Sequence, residues 1–151
     1  MTDLEPAVRA SRLRMLVALE IVRIVHDFRA RQDLLVGHWS RFRNRDVLLD
    51  LVFSRWRGLG FTDLATFADD AILLLEAFYR EIDGVRLYLT VTEDMPTTLA
   101  DTLAWHADRM ERAARAAFVA LDVAIPFEAG TDPMRLVADH LSSLPADDHE
   151  E

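Results

Sequence analysis

Apolar residues return every third or fourth position along most of the chain, the spacing of one face of a helix. The first such run is Leu13, Leu16, Val17, Ile21, Ile24, Val25 and Phe28, and a second, Met15, Leu19, Val22 and His26, lies on the opposite side of the same segment. Thr2 or Asp3 can cap this helix, Pro6 suits its first turn, and Leu34-Leu35-Val36 followed by Gly37 reads as its end. That is roughly thirty residues, or about 45 Å at 1.5 Å per residue. Two apolar faces predict a helix that is central, or shared with a second subunit.

The next segment, "RDVLLDLVFSRWR", reads as a second helix capped by Asn44 and closed by Gly58 and Gly60. Thr62 then opens a third. Its stripe is Leu64, Phe67, Ala68, Ala71, Leu75, Phe78, Tyr79 and Ile82, with Asp69, Asp70 and Glu76 largely off that face and Gly84 at its end. Residues 85–92, "VRLYLTVT", alternate Val85, Leu87, Leu89 and Val91 with polar or amphipathic residues, the pattern of a half-buried strand. The preceding Asp83-Gly84 pair is a hairpin signal. Against a hairpin, helical periodicity runs for about twenty residues before Gly84, and a lone strand would leave its backbone groups unpaired. A short helix or an extended connector is expected there; a strand would need a mate from another copy of the chain.

Asp94-Met95-Pro96-Thr97-Thr98 opens a fourth helix, with Leu99, Leu103, His106, Met110, Ala114, Ala117 and Leu121 as its seam. The steps are nearly those of a heptad, the alanines permit close approach of a neighbour, and Pro126 stops the helix. Asp132 and Pro133 begin a last short helix, and "PADDHEE" is an acidic tail expected to be frayed. The expected fold is therefore all-α, a four- or five-helix bundle in which 85–92 could be extended. One helical domain spans 1–144, a disordered acidic tail spans 145–151, and the long first, third and fourth helices form the core. The surplus of apolar surface on the first and fourth helices predicts a symmetric homodimer.

Composition narrows the chemistry. The chain of 151 residues has no cysteine, which removes disulfides, thiolate nucleophiles and cysteine-ligated metals. All seventeen basic residues are arginine, so Schiff-base and phosphate-loop lysine chemistry is also absent. Asp3 and Glu5 stand where a secretory signal carries positive charge, and the longest strongly apolar stretch, 71–75, is far short of the ~20 residues of a membrane span. These features predict a cytoplasmic protein without a membrane segment. Charge is unevenly placed: residues 1–60 hold eleven arginines against seven carboxylates, and the remainder holds six against nineteen. Such a split suits either an anion-binding half or two surfaces that meet each other.

The basic half contains an arginine–aromatic patch of Trp39, Arg41, Phe42, Arg43, Arg45, Arg55, Trp56 and Arg57, accompanied by Arg29 and Arg31. Guanidinium groups beside indole rings suit phosphate contact and base stacking. The strongly negative remainder argues against a long polyanion, leaving a small anionic ligand or, foremost, arginines that pair with the acidic helices within or between subunits. "VFSRWRGLGF" with "FADDAILLLEAFYREID" is similar to the helix-turn-helix of TetR-type repressors, which implies DNA reading by the second helix. Here the usual Gly-Val-Ser turn is Ile72-Leu73-Leu74, and the helix would offer leucines, Glu76 and Glu81 to the groove; leucines do not read base edges, so the match is set aside as coincidence.

Two spans, Arg31 to His38 and Arg135 to His140, resemble the Arg-x4–6-His motif of HEPN-type ribonucleases, which implies phosphate binding and protonation in a helical dimer. Gln32 follows the pattern; Leu136 departs from it. Glu20 and Asp27 on the first helix, with His106 on the fourth, could form an interior network or a site of the carboxylate-bridged metal type. Neither Glu-x-x-His nor His-x-x-x-His occurs in the chain, so Glu20 is expected to pair with Arg23 or another arginine, and His106 to be a hydrogen-bonded core residue. No catalytic residue, cofactor or metal ligand is assigned. The expected function is non-catalytic: a helical interaction or regulatory protein acting through a partner protein, such as a basic one, or a small ligand held between helices. The alternative is HEPN-like RNA cleavage by a dimer, or small-anion or nucleic-acid binding through the arginine–aromatic patch.

Overall fold

The computed structural model describes residues 5–37, 45–52, 56–92, 98–125, 127 and 132–143. Six α-helices run through them: α1 (Pro6–Gly37), α2 (Asp46–Leu49), α3 (Phe61–Leu64), α4 (Asp69–Val91), α5 (Leu99–Leu121) and α6 (Pro133–Ser143). Among the described residues a 3-10 turn occupies Trp56–Gly58, and there is no strand. The fold is an all-α bundle on four long helices. None of those described is long and apolar enough to cross a membrane.

The seam on α5 organises the core. Leu99, Leu103, His106, Met110, Ala114, Ala117 and Leu121 are all buried, as their spacing predicts. Ala107, Ala114 and Ala117 present almost no bulk, so α5 packs closely on both α4 and α1. Asp122, in the left-handed conformation at φ 51°, closes α5 several residues before Pro126. Asp132 caps α6 as expected, its carboxylate accepting the Met134 amide at 2.9 Å. Both α6 and α2 lie against α1.

On α1 the buried arc widens from Val17 to Phe28, where Val17, Ala18, Ile21, Val22, Ile24, Val25 and Phe28 are all covered. Two apolar faces are thus used, although Met15, Leu19 and His26 on the second are only half-buried. Leu16 departs from expectation at 61% exposed. It lies beyond the edge of the arc, on the same side of the helix as Arg23 and Asp27.

The expected second helix is not continuous. Only Asp46–Leu49 is α-helical before a turn at 50–52 that tucks Leu51 and Val52 into the core; Asn44 and residues 53–55 lie outside the described residues. The third is split. Gly60, rather than Thr62, sits at the N-cap of α3, and α4 begins at Asp69 after a turn in which the Thr66 hydroxyl donates to the Asp63 carbonyl at 2.7 Å. Phe67 is still buried, held in the link instead of on a helix.

Gly84 does not end α4. The helix runs through it to Val91, so 85–92 is neither a strand nor a separate connector. Val85 and Leu89 extend the buried series Phe78, Ile82 by steps of three and four, whereas Leu87 and Val91 face outward. A Cβ at Gly84 would meet only His106 Cε1, at 4.0 Å, an ordinary contact. Gly84→Ala is therefore expected to raise stability by about 0.5–1 kcal/mol, the helical cost of glycine relative to alanine. A urea titration showing the variant less stable than the parent would contradict a continuous α4.

Candidate functional site

Part of the charge split is paired within one chain. From the basic first sixty residues, Arg9 bonds Asp63 at 2.6 Å, Arg29 bonds Asp108 and Glu111 at 3.1 and 2.5 Å, and Arg57 bonds Asp83 at 2.7 Å. Glu111 also takes Arg115 at 2.9 Å. Burial alone would push the Glu111 carboxyl up, but the hydrogen bonds from Arg115 and Arg29 outweigh it and hold the group below the usual carboxylate range. The exposed pairs Arg9–Asp63 and Arg57–Asp83 contribute about 0–1 kcal/mol each, so they orient the helices more than they stabilise them.

Two further arginines serve backbone. Arg45 Nη1 donates to the Leu89 carbonyl at 3.0 Å, satisfying one of the acceptors that the last turn of α4 leaves unpaired. Arg31 Nη1 donates to the Val47 carbonyl in α2 at 3.0 Å. This fixes the start of the Arg31–His38 span, while His38 lies outside the described residues. Arg135 and His140 are both exposed on α6. Of the arginine–aromatic patch, Trp39, Arg41, Phe42, Arg43 and Arg55 also lie outside the described residues, leaving Arg45, Trp56 and Arg57 to be placed.

Trp56 and Arg57 frame a cleft. The 3-10 turn and the segment leading into α3 arch over α4, enclosing about 310 Å³ lined by Trp56, Arg57, Leu59, Leu64, Glu76, Tyr79, Arg80 and Asp83. Trp56 stacks on Tyr79 with ring centroids 5.1 Å apart and planes 10° from parallel, and its indole N–H reaches Glu76 at 3.4 Å. Phe67 packs obliquely on the same indole at 6.2 Å. Beneath the stack, the Tyr79 hydroxyl donates to Glu20 Oε1 at 2.9 Å, which ties the floor of the cleft to α1. Burial, then the Glu20 charge, raises the Tyr79 pKa far above a free phenol, with Arg23 opposing.

The TetR-like segment has no turn at Ile72-Leu73-Leu74, which lie inside α4, and the buried face of that helix carries Phe78, Tyr79 and Ile82. Glu20, Asp27 and His106 have separate surroundings: Glu20 meets Tyr79, Asp27 meets His26 at 3.0 Å, and His106 packs against Tyr88 and Trp105. No group of three or more His, Asp or Glu able to hold a metal occurs among the described residues. The expectation of a hydrogen-bonded His106 is corrected, because its Nδ1 is buried without a partner among the described residues.

Sequence reasoning missed Leu59, Leu64, Glu76, Tyr79, Arg80 and Asp83 as one site. A signal was available: Glu76, Arg80 and Asp83 recur at steps of four and three, a polar stripe beside the apolar face of α4. Against protein-family models, curated proteins and solved structures, the chain has no match.

Proposed function

We propose that the protein is a non-catalytic, regulatory interaction protein of the cytoplasm that takes a small anionic ligand in the cleft between residues 56–64 and α4. The observation that carries this reading is the cleft itself. Its volume of about 310 Å³ suits a compact guest, and its walls set the Trp56 and Tyr79 rings beside two arginines and two carboxylates. Arg57 is already engaged by Asp83, whereas Arg80 forms no ion pair among the described residues and is the cation left for an anionic group. A protein partner would find its grip on the same rim, where Phe61, between Leu59 and Leu64, is 91% exposed. A symmetric homodimer belongs to the reading as well, supported by the outward Leu16, Leu34, Leu87 and Val91.

Native mass spectrometry of freshly isolated protein tests this directly. The parent is expected to carry a small bound mass, on a two-chain species, whose occupancy falls about tenfold or more in Arg80→Glu, since losing a charge-assisted contact costs about 1.5–3 kcal/mol. Arg80 is exposed, so the variant should fold as the parent does. A bound mass retained unchanged by Arg80→Glu would remove the cleft from consideration.

A further inference from the structure

Away from the cleft, the α4/α5 contact contains two polar atoms that the protein does not satisfy. Tyr88 Oη and His106 Nδ1 are both fully buried, and neither has a hydrogen-bond partner among the described residues. They belong to neighbouring rings on facing helices, with centroids 5.7 Å apart and planes tilted by 42°. His106 as a whole is only 8% exposed. We infer that a single internal water molecule bridges Tyr88 Oη and His106 Nδ1, forming a hydrogen-bonding site built into the α4/α5 hairpin.

Two orphaned buried groups on neighbouring rings are costly, and one molecule that both donates and accepts can satisfy the pair. Water does so whichever ring nitrogen carries the imidazole proton, because the phenol can donate or accept in turn. The surroundings favour a neutral guest. Burial lowers the His106 pKa and Arg109 adds to this, while Glu81 opposes them, so the ring is uncharged near neutral pH. Glu81 is itself occupied, accepting two bonds from Arg109 at 2.6 and 3.0 Å. Arg109 in turn lies 4.6 Å over the Trp105 ring, and Trp105 meets His106 edge-on at 4.9 Å. A surface ion pair and an indole thus close the histidine off on its outer side. On the inner side Gly84 has no side chain to crowd the ring.

A crystal structure of the full chain with ordered waters resolved is expected to show one within hydrogen-bond distance of both atoms. Tyr88→Phe should then lower the melting temperature by about 2–4 °C, since the water loses a partner while His106 keeps its burial. It should also shift the His106 ¹⁵Nδ1 resonance. If the two atoms are simply unpaired, the sign reverses and Tyr88→Phe melts at or above the parent temperature. That result overturns the inference, as does a crystal structure in which Tyr88 bonds His106 directly or no water lies between them.

Discussion

Replacing Phe78 with alanine is expected to cost about 3–5 kcal/mol of folding stability, whereas the same replacement at Phe61 is expected to change it by no more than about 0.5 kcal/mol. The substitutions are chemically identical and lie on adjoining elements. Phe78 has no exposed surface and meets Tyr79 edge-on at 5.1 Å, in the layer where α4 packs on α5. Its loss removes the transfer energy of a whole ring and leaves a cavity that rigid helices cannot close. Phe61 is solvated in the folded state and has little to lose. Against a typical net stability of about 5–15 kcal/mol, the Phe78 variant should be marginal. Urea denaturation followed by circular dichroism reads both, and equal costs at the two positions would refute the burial pattern described above.

The parts of the fold that could be read from the chain are those where one periodicity dominates. On α5, seven residues at near-heptad steps admit only a helix, and all seven are buried. Residues 85–92 were ambiguous because Val85 and Leu89 share one face of a helix while Val85, Leu87, Leu89 and Val91 share one face of a strand. Over eight residues the two periods cannot be separated. Gly84 tipped the reading toward a break, although a single glycine costs a buried helix only about 1 kcal/mol, less than the packing of Val85 and Leu89 returns.

Residues 45–58 failed for a different reason. Their apolar run looks helical, yet Leu48 is buried from the short α2 and Leu51 and Val52 from the turn after it, and the Arg31 and Arg45 side chains supply hydrogen bonds across 16 and 44 residues. Contacts at that separation leave no trace in local pattern. The cleft shows the same limit. Trp56 and Arg57 stood out by type, but the residues of α4 that make them a site lie 19 to 27 positions onward, at Glu76, Tyr79, Arg80 and Asp83. The uneven charge did foretell the pairing of a basic half with an acidic one.

Tyr79→Phe should lower stability by about 2 kcal/mol, a large effect for the loss of one oxygen. The hydroxyl is the buried donor to Glu20, whose side chain is drawn into the main apolar arc of α1 between Val17 and Ile24. Hydrogen bonds to charged groups contribute about 1.5–3 kcal/mol, and the acceptor left behind is a buried carboxylate that water reaches poorly. The rings should remain stacked, because phenylalanine keeps the face that Trp56 covers. A double-mutant cycle with Glu20→Gln separates the bond from general packing damage: the phenol should be worth clearly less when the acceptor is neutral. An independent sign is spectroscopic. With only two tyrosines in the chain, the parent should keep one phenol protonated well above the pH at which a free tyrosine ionises, and the variant should lose that late step. If Tyr79→Phe costs under about 0.5 kcal/mol and the variant loses no late phenol ionisation, then the floor of the cleft is not anchored to α1 in the way the geometry requires.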